Sequence, residues 1–227
     1  MKGQTIAVTG AAGRLGRELV AELVRREANV AAIVMNDAEA RLVPSGRSSR
    51  VESFIMNVTE SRSVCDGFER IASRFSGLDG LVHTVGGWAM TPLLETGRQR
   101  WDDMMALNLT SAFLCFREAS RVMVTGDGGW LVGISSGQGA ERGAGGQSAY
   151  SAGKAGVLRL VEAVGEELAD RGVSTLAVAP SMILFDDDSD WDGVPVGDVV
   201  AACLSPWSDD PPESGGLRRA YGTLEPG

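Results

Sequence analysis

Only one histidine occurs in 227 residues, His83. That argues against any metal site built from several histidines, and a Ser-His-Asp hydrolase would have to run through this single imidazole. Cysteine is nearly as scarce. Cys65, Cys115 and Cys203 are scattered and odd in number, which argues against a disulfide scaffold and for a reducing, cytoplasmic setting. Basic residues are outnumbered, 21 Lys and Arg against 30 Asp and Glu, for a net charge of −9. Such a balance argues against a broad electrostatic grip on nucleic acid or anionic lipid. No apolar run approaches the ~20 residues of a membrane helix. The first residues pass at once into a strand-like segment, with no leader pattern.

What is present suits a globular protein. Hydrophobic residues make up 44% and charged residues 22%, enough apolar material for a core. At ~150 residues per domain the length falls between one and two domains, and a single α/β domain over residues 1–227 is expected. Thirty glycines point to many tight turns.

Strand and helix patterns alternate. Thr5-Ile6-Ala7-Val8 is a strand-forming run ending at Thr9-Gly10, and Leu15, Leu19, Val20, Leu23 and Val24 follow at helical spacing. Further strands are predicted at 29–35, 53–56, 80–85, 130–134, 173–178 and 217–221, and further helices at 61–75, 100–124, 148–171 and 196–204. Residues 29–35 form a continuous apolar run of the kind buried on both faces. This alternation predicts a doubly wound parallel sheet of about seven strands between two helical layers. Phe113 and Phe116 on one long helix, and Val157 and Leu160 on the other, widen the apolar surface beyond a single stripe. A homo-oligomer, dimer or tetramer, is expected on that ground.

Four local features carry chemistry. Thr9-Gly10-Ala11-Ala12-Gly13-Arg14-Leu15-Gly16 lies between the first strand and first helix. There, backbone N–H groups and the helix dipole attract a pyrophosphate, and glycine lets the ligand approach. Tyr150 and Lys154 stand four apart on a helix, so they share a face. An ammonium beside a phenol favours the phenolate, which would make Tyr150 a general acid–base. Ser135 and Ser136 sit at the end of the fifth strand, at the carboxyl edge of the sheet. Asn108 lies inside a long helical segment between leucines, a poor helix-interior residue expected to hydrogen-bond inward.

In this order along the chain, these features resemble the short-chain dehydrogenases/reductases over nearly the whole length. The resemblance is carried by the turn 9–16, Asn57-Val58 after the third strand, Leu81-Val82-His83-Thr84-Val85-Gly86-Gly87 after the fourth, Asn108, Ser135-Ser136, Tyr150-x-x-x-Lys154, and Val178-Ala179-Pro180-Ser181-Met182-Ile183. It implies a Rossmann-type fold and an oxidoreductase using NAD or NADP on a small alcohol or carbonyl, with no metal. Tyr150 would exchange the proton with the substrate oxygen. Lys154 would lower the pKa of Tyr150 and bind the nicotinamide ribose. Ser136, or failing it Ser135, would hydrogen-bond the substrate oxygen, and Asn108 would hold a water that feeds protons through Lys154. Gly10, Gly13, Arg14, Leu15 and Gly16 would bind the pyrophosphate, Asn57 and Val58 would flank the adenine, Gly86 would lie beside the ribose, and Ile183 would contact the nicotinamide through its backbone.

Several positions depart from the family pattern. Arg14 stands at its central glycine, and Phe185 at the threonine that grips the nicotinamide carboxamide. His83 falls where an asparagine is usual and is expected to be a structural donor. No acid occupies Val34 or Met35, and Arg14 lies within reach of a 2′-phosphate, so NADP has a slight edge; Asp37 would reverse it if the strand ended later. Residues 181–196, where the family carries a substrate lid, are short and hold five aspartates, Asp186, Asp187, Asp188, Asp190 and Asp192. This segment reads either as an acidic lid favouring cationic substrates or as a solvated loop. Trp88, Met90, Leu93, Leu94, Phe185 and Trp191 would supply apolar surface for an aromatic, acyl or terpenoid carbonyl. The alternative from another class is a non-catalytic dinucleotide-binding protein that keeps the fold as a sensor or scaffold.

Overall fold

The computed structural model describes residues 1–44, 50–186 and 192–222. Among them the strands are β1 (Thr5–Thr9), β2 (Asn29–Val34), β3 (Val51–Ile55), β4 (Gly80–His83), β5 (Gly129–Ile134), β6 (Val173–Pro180), β7 (Ile183–Leu184), β8 (Val194–Pro195) and β9 (Gly216–Ala220). Seven form one parallel sheet in the order β3-β2-β1-β4-β5-β6-β9, while β7 and β8 pair with each other. The helices are α1 (Arg14–Arg25), α2 (Asp37–Ala40), α3 (Ser61–Phe75), α4 (Arg98–Met105), α5 (Ser111–Met123), α6 (Gly137–Ala140), α7 (Ser148–Glu167) and α8 (Val196–Cys203). The doubly wound sheet expected from the alternation is thus present. None of the helices among the described residues is long and apolar enough to cross a membrane.

Side-chain alternation along the strands feeds two cores. Ile6 and Val8 of β1 pack with Leu19 and Leu23 of α1 and Val199 of α8 on one face. Ala7 packs with Phe68 of α3, Phe116 of α5 and Val161 of α7 on the other. Every residue of β1, and all but the first of β2, is buried; of the apolar run at 29–35, Met35 lies beyond the end of β2 and is exposed. Succession runs outward from β1 through β2 to β3, then restarts at β4 on the other side. The loops leaving β1 and β4 diverge at that switch point, which opens a crevice at the carboxyl ends of the strands.

Some predicted boundaries shift. The strand at 80–85 ends at His83. The helix at 148–171 ends at Glu167, and a 3₁₀ turn over Ala169–Arg171 leads into Gly172 at φ 73°. The helix at 100–124 is interrupted: α4 and α5 are joined by a π-helical turn over Ala106–Thr110 that contains Asn108. The short α2 and α6 escape a periodicity argument altogether. Each is capped by the side chain before it, Asn36 accepting from the Glu39 N–H and Ser136 from the Gly139 N–H. β9 is an edge strand with Arg218 and Arg219 exposed, as sheet edges commonly are, and Arg219 donates to Glu141 at 2.5 Å.

Candidate active site

The turn between β1 and α1 is shaped by two glycines. Gly10 adopts φ 62°, the left-handed region that a Cβ disfavours. A Cβ on Gly16 would run into the Gly10 carbonyl, so helix and turn can close together only with glycine there. Gly13 is the N-cap of α1 and brings no side chain to its first N–H groups, which leaves those donors and the positive helix end to a ligand. Gly16→Ala is expected to destabilise the protein by about 1–3 kcal/mol through overpacking, seen as a lower urea midpoint at unchanged slope.

From this turn a cleft runs along the sheet edge in two adjoining halves. The first, about 480 Å³, is lined by the glycine turn, Met35, Glu39, Val58, Thr59 and Gly86. The second, about 510 Å³, is lined by Ser136, Tyr150, Lys154, Gly87, Trp88 and Ile183. Leu15, Thr84 and Gly86 border both. The volumes suit a bound small molecule in each half.

Tyr150 and Lys154 both lie on α7, one turn apart. Lys154 is buried, its Nζ donates to the Ile134 carbonyl at 2.9 Å, and burial lowers its pKa to about 8. Tyr150 was expected to have its phenol lowered by Lys154. The structure corrects this: burial raises the phenol above its ordinary value, and the opposing influence is hydrogen bonding with Ser136. The Ser135 hydroxyl is turned away and donates to the Lys154 carbonyl at 2.8 Å, so of the two serines it is Ser136 that addresses the phenol.

Asn108 and Asn57 do not line either half of the cleft. Asn108 is buried and grips Gly87 from both sides, Oδ1 accepting its N–H at 3.1 Å and Nδ2 donating to its carbonyl at 3.0 Å. Nδ2 also donates to the Met104 carbonyl. The π turn thus carries a clamp on the β4 loop, which explains an asparagine in so unfavourable a place. A Cβ on Gly86 would stand 2.8 Å from Lys154 Nζ and 2.9 Å from Asn108 Oδ1, so these groups crowd one point. Asn57 bonds within its own loop, donating to Glu60 and accepting from Thr59, and leaves the cleft wall to Val58 and Thr59.

His83 is structural, as expected. Ser111 Oγ donates to the Leu107 carbonyl at 2.7 Å, so it accepts from His83 Nε2, and Nδ1 accepts from Thr9 Oγ1; both separations are 3.1 Å. Thr9 Oγ1 in turn accepts the Thr84 N–H at 3.0 Å. This tautomer follows from the network. Burial first, and Lys154 second, lower the His83 pKa to about 3, which keeps the ring neutral and the chain of bonds intact.

Two residues near the turn differ from expectation. Arg14 stacks its guanidinium 3.9 Å from the centroid of the Phe185 ring. Glu39, unnoticed in the sequence, accepts the Met35 N–H at 2.8 Å while Asn36 caps its own N–H. The spacing Asn36-x-x-Glu39 is close to a capping box and is the signal that would have found it. Of the acidic segment, Asp187, Asp188 and Asp190, with Trp191, lie outside the described residues.

The model of the family described as short chain dehydrogenase matches residues 4–190. The chain belongs to that family. Short chain dehydrogenases are oxidoreductases that bind NAD or NADP. Among relatives, the 3-oxoacyl-[acyl-carrier-protein] reductase FabG of Staphylococcus aureus is 34% identical over 183 residues, 79% of this chain and 74% of its own. A sorbitol dehydrogenase of Cereibacter sphaeroides is 28% identical, over 86% of this chain and 75% of its own. Among solved structures, a short chain dehydrogenase from Mycobacterium smegmatis superposes with a TM-score of 0.84 at 26% identity, covering 99% of this chain and 94% of the other. ElxO, solved with NADP bound, shares the fold at a TM-score of 0.86 and 22% identity, with 97% of each chain covered.

Proposed function

We propose that the protein transfers a hydride between a nicotinamide dinucleotide and the carbon of an alcohol or carbonyl, with Tyr150 as general acid–base. The observation that carries this is the convergence of Ser136, Tyr150 and Lys154 on one half of a cleft whose other half begins at an uncapped, glycine-shaped helix N-terminus. That cradle fits a dinucleotide. Gly10, Gly13, Arg14, Leu15 and Gly16 would hold the pyrophosphate, Val58 the adenine, Gly86 and Lys154 the ribose, and Ile183 the nicotinamide. Bound nicotinamide supplies or accepts the hydride. Ser136 hydrogen-bonds the substrate oxygen, and Tyr150 gives it a proton in reduction or takes one in oxidation. Lys154 supplies positive charge beside that transfer, and Asn108 acts as a positioning residue by fixing Gly87.

The family relatives include one named for a reduction and one named for an alcohol oxidation, which supports the reaction class and leaves the substrate open. Trp88 and Met182, both on the wall of the second half and well exposed, favour an apolar carbonyl. Consumption of NADH or NADPH, followed by absorbance across aldehydes, ketones and 3-oxoacyl thioesters, tests the proposal. Turnover of any of them supports it. Binding of the dinucleotide without turnover, on a panel this wide, supports the sensor or scaffold reading that Phe185 favours.

The cofactor is NAD or NADP, and two side chains bear on the choice. Arg14 gives NADP its slight advantage. Glu39 works against it, because its carboxylate occupies the Met35 N–H beside the end of β2, where such folds bind the adenosine ribose. Glu39→Gln is therefore expected to shift relative affinity toward NADPH by about tenfold, the value of roughly 1.4 kcal/mol of removed repulsion. Fluorescence titration with both reduced dinucleotides measures it. The working form is a homo-oligomer, for which Trp101 on α4 and Phe113 on α5 keep exposed aromatic surface; light scattering at micromolar concentration checks this.

A further inference from the structure

Two departures from the family pattern meet in space. Arg14 replaces the central glycine of the phosphate turn, and Phe185 replaces the threonine beyond β7. The Arg14 guanidinium lies 3.9 Å above the Phe185 ring. We infer that Phe185 holds Arg14 as a clasp across the dinucleotide cleft, and that the clasped guanidinium binds the pyrophosphate.

The location argues for this. Arg14 is the first residue of α1, directly after the N-cap Gly13, and it lines the half of the cleft next to β2. Phe185 follows two residues after Ile183, which lines the half containing Tyr150. Their stack therefore ties the glycine turn, whose Leu15 borders both halves, to the segment that follows Ile183. A dinucleotide filling both halves must pass its pyrophosphate along that turn, because the α1 N-terminus is there.

The chemistry agrees with the location. An aromatic ring engages the face of a guanidinium, whereas its N–H donors lie in the plane and suit phosphate oxygens. A long unsupported arginine would lose rotamer freedom on meeting the ligand. Stacked on Phe185, it is already ordered, so less is lost on binding. The aromatic ring thus takes over part of the task of the missing threonine: it secures the cofactor at the pyrophosphate instead of at the carboxamide. Phe185 is accordingly a positioning residue that acts through Arg14.

This inference rests on the dinucleotide reading above, and its test separates the two. NADH and NADPH are titrated by fluorescence against the wild-type chain, Arg14→Gly, Phe185→Leu and the double variant, each checked for folding by circular dichroism. Arg14→Gly restores the family glycine, yet it is expected to weaken binding of both dinucleotides by about tenfold or more, the worth of a charge-assisted contact to phosphate. Phe185→Leu keeps apolar bulk and removes the ring, and should weaken binding about threefold, in line with an exposed cation–π pair. In the Arg14→Gly background, Phe185→Leu should have no further effect. Binding that Arg14→Gly leaves unchanged or tightens overturns the clasp alone. A Phe185→Leu effect that persists undiminished in the double variant also overturns it. Failure of the wild-type chain to bind either dinucleotide overturns the dinucleotide reading, and the clasp with it.

Discussion

Tyr150→Phe is expected to lower turnover by about 10²–10⁴-fold, the usual worth of a positioned acid–base group. The substitution keeps the ring in its packing against Ala89, Met104 and Ala149, so the fold should persist. It removes the one proton that the mechanism exchanges with the substrate. Dinucleotide affinity should change little by comparison, because the phosphate turn and the walls at Val58 and Gly86 are untouched. The pH dependence of each direction follows from the phenol. Burial raises its pKa, so through neutral pH the group carries its proton. A protonated phenol is ready to donate, which suits reduction of a carbonyl. Reduction should therefore run at a steady rate across neutral pH and decline only as the medium becomes alkaline. Oxidation of the alcohol needs the phenolate and should accelerate as pH rises. Steady-state rates in both directions, with a confirmed substrate, measure these slopes. A Tyr150→Phe variant with near-wild-type turnover would remove Tyr150 from the mechanism while leaving the fold as it is.

The parts of this site that could be read from sequence are those whose signal is local. The apolar run at 29–35 answers to a buried strand, and β2 occupies it up to Val34. The glycines at 10, 13 and 16 answer to a tight turn, and Tyr150 with Lys154 to one face of a helix. What escaped depends on contacts between distant residues or on elements too short for a period. α2 has four residues and shows no repeat, so Glu39 could not be placed at the end of β2. The π turn at Asn108 differs from an α turn in hydrogen bonding, which side-chain pattern over five residues does not reveal. Asn57 matched its motif by type and position, yet the loop turned its amide toward Glu60 and Thr59. The balance at Tyr150 was misjudged because spacing gives proximity to Lys154 and says nothing of burial. Arg14 was placed at the pyrophosphate and within reach of a 2′-phosphate from its position in the turn; its contact with Phe185 arises only when the segment after β6 folds back over α1.

Lys154→Met is expected to separate stability from function. The ammonium is buried, and its pKa of about 8 lies below the ~10.4 of an unfolded chain. Between those values the unfolded state binds more protons, so this group makes stability rise with pH across that window. Below it, both states are protonated and the burial penalty is complete, about 3 kcal/mol from the difference in pKa. Methionine of similar length removes that penalty. It also leaves the Ile134 carbonyl without the donor it has at 2.9 Å, which costs about 1–3 kcal/mol. The variant should thus be as stable as wild type at neutral pH, or more so by up to about 2 kcal/mol. Urea midpoints measured from pH 7 to 10 should show wild type gaining on the variant as the lysine loses its proton. Over the same comparison, turnover should fall by about 10²-fold or more, since the charge beside the proton transfer is gone. The single histidine gives an independent reading by nuclear magnetic resonance. His83 is held neutral by burial and, secondarily, by Lys154. Removing that charge should raise its pKa from about 3, while burial still keeps it below the ordinary range. An unshifted imidazole would mean that Lys154 carries no charge beside His83 in the folded protein, whereas a wild-type stability that does not climb above pH 8 relative to the variant would mean that burial does not lower the Lys154 pKa; either result overturns this account.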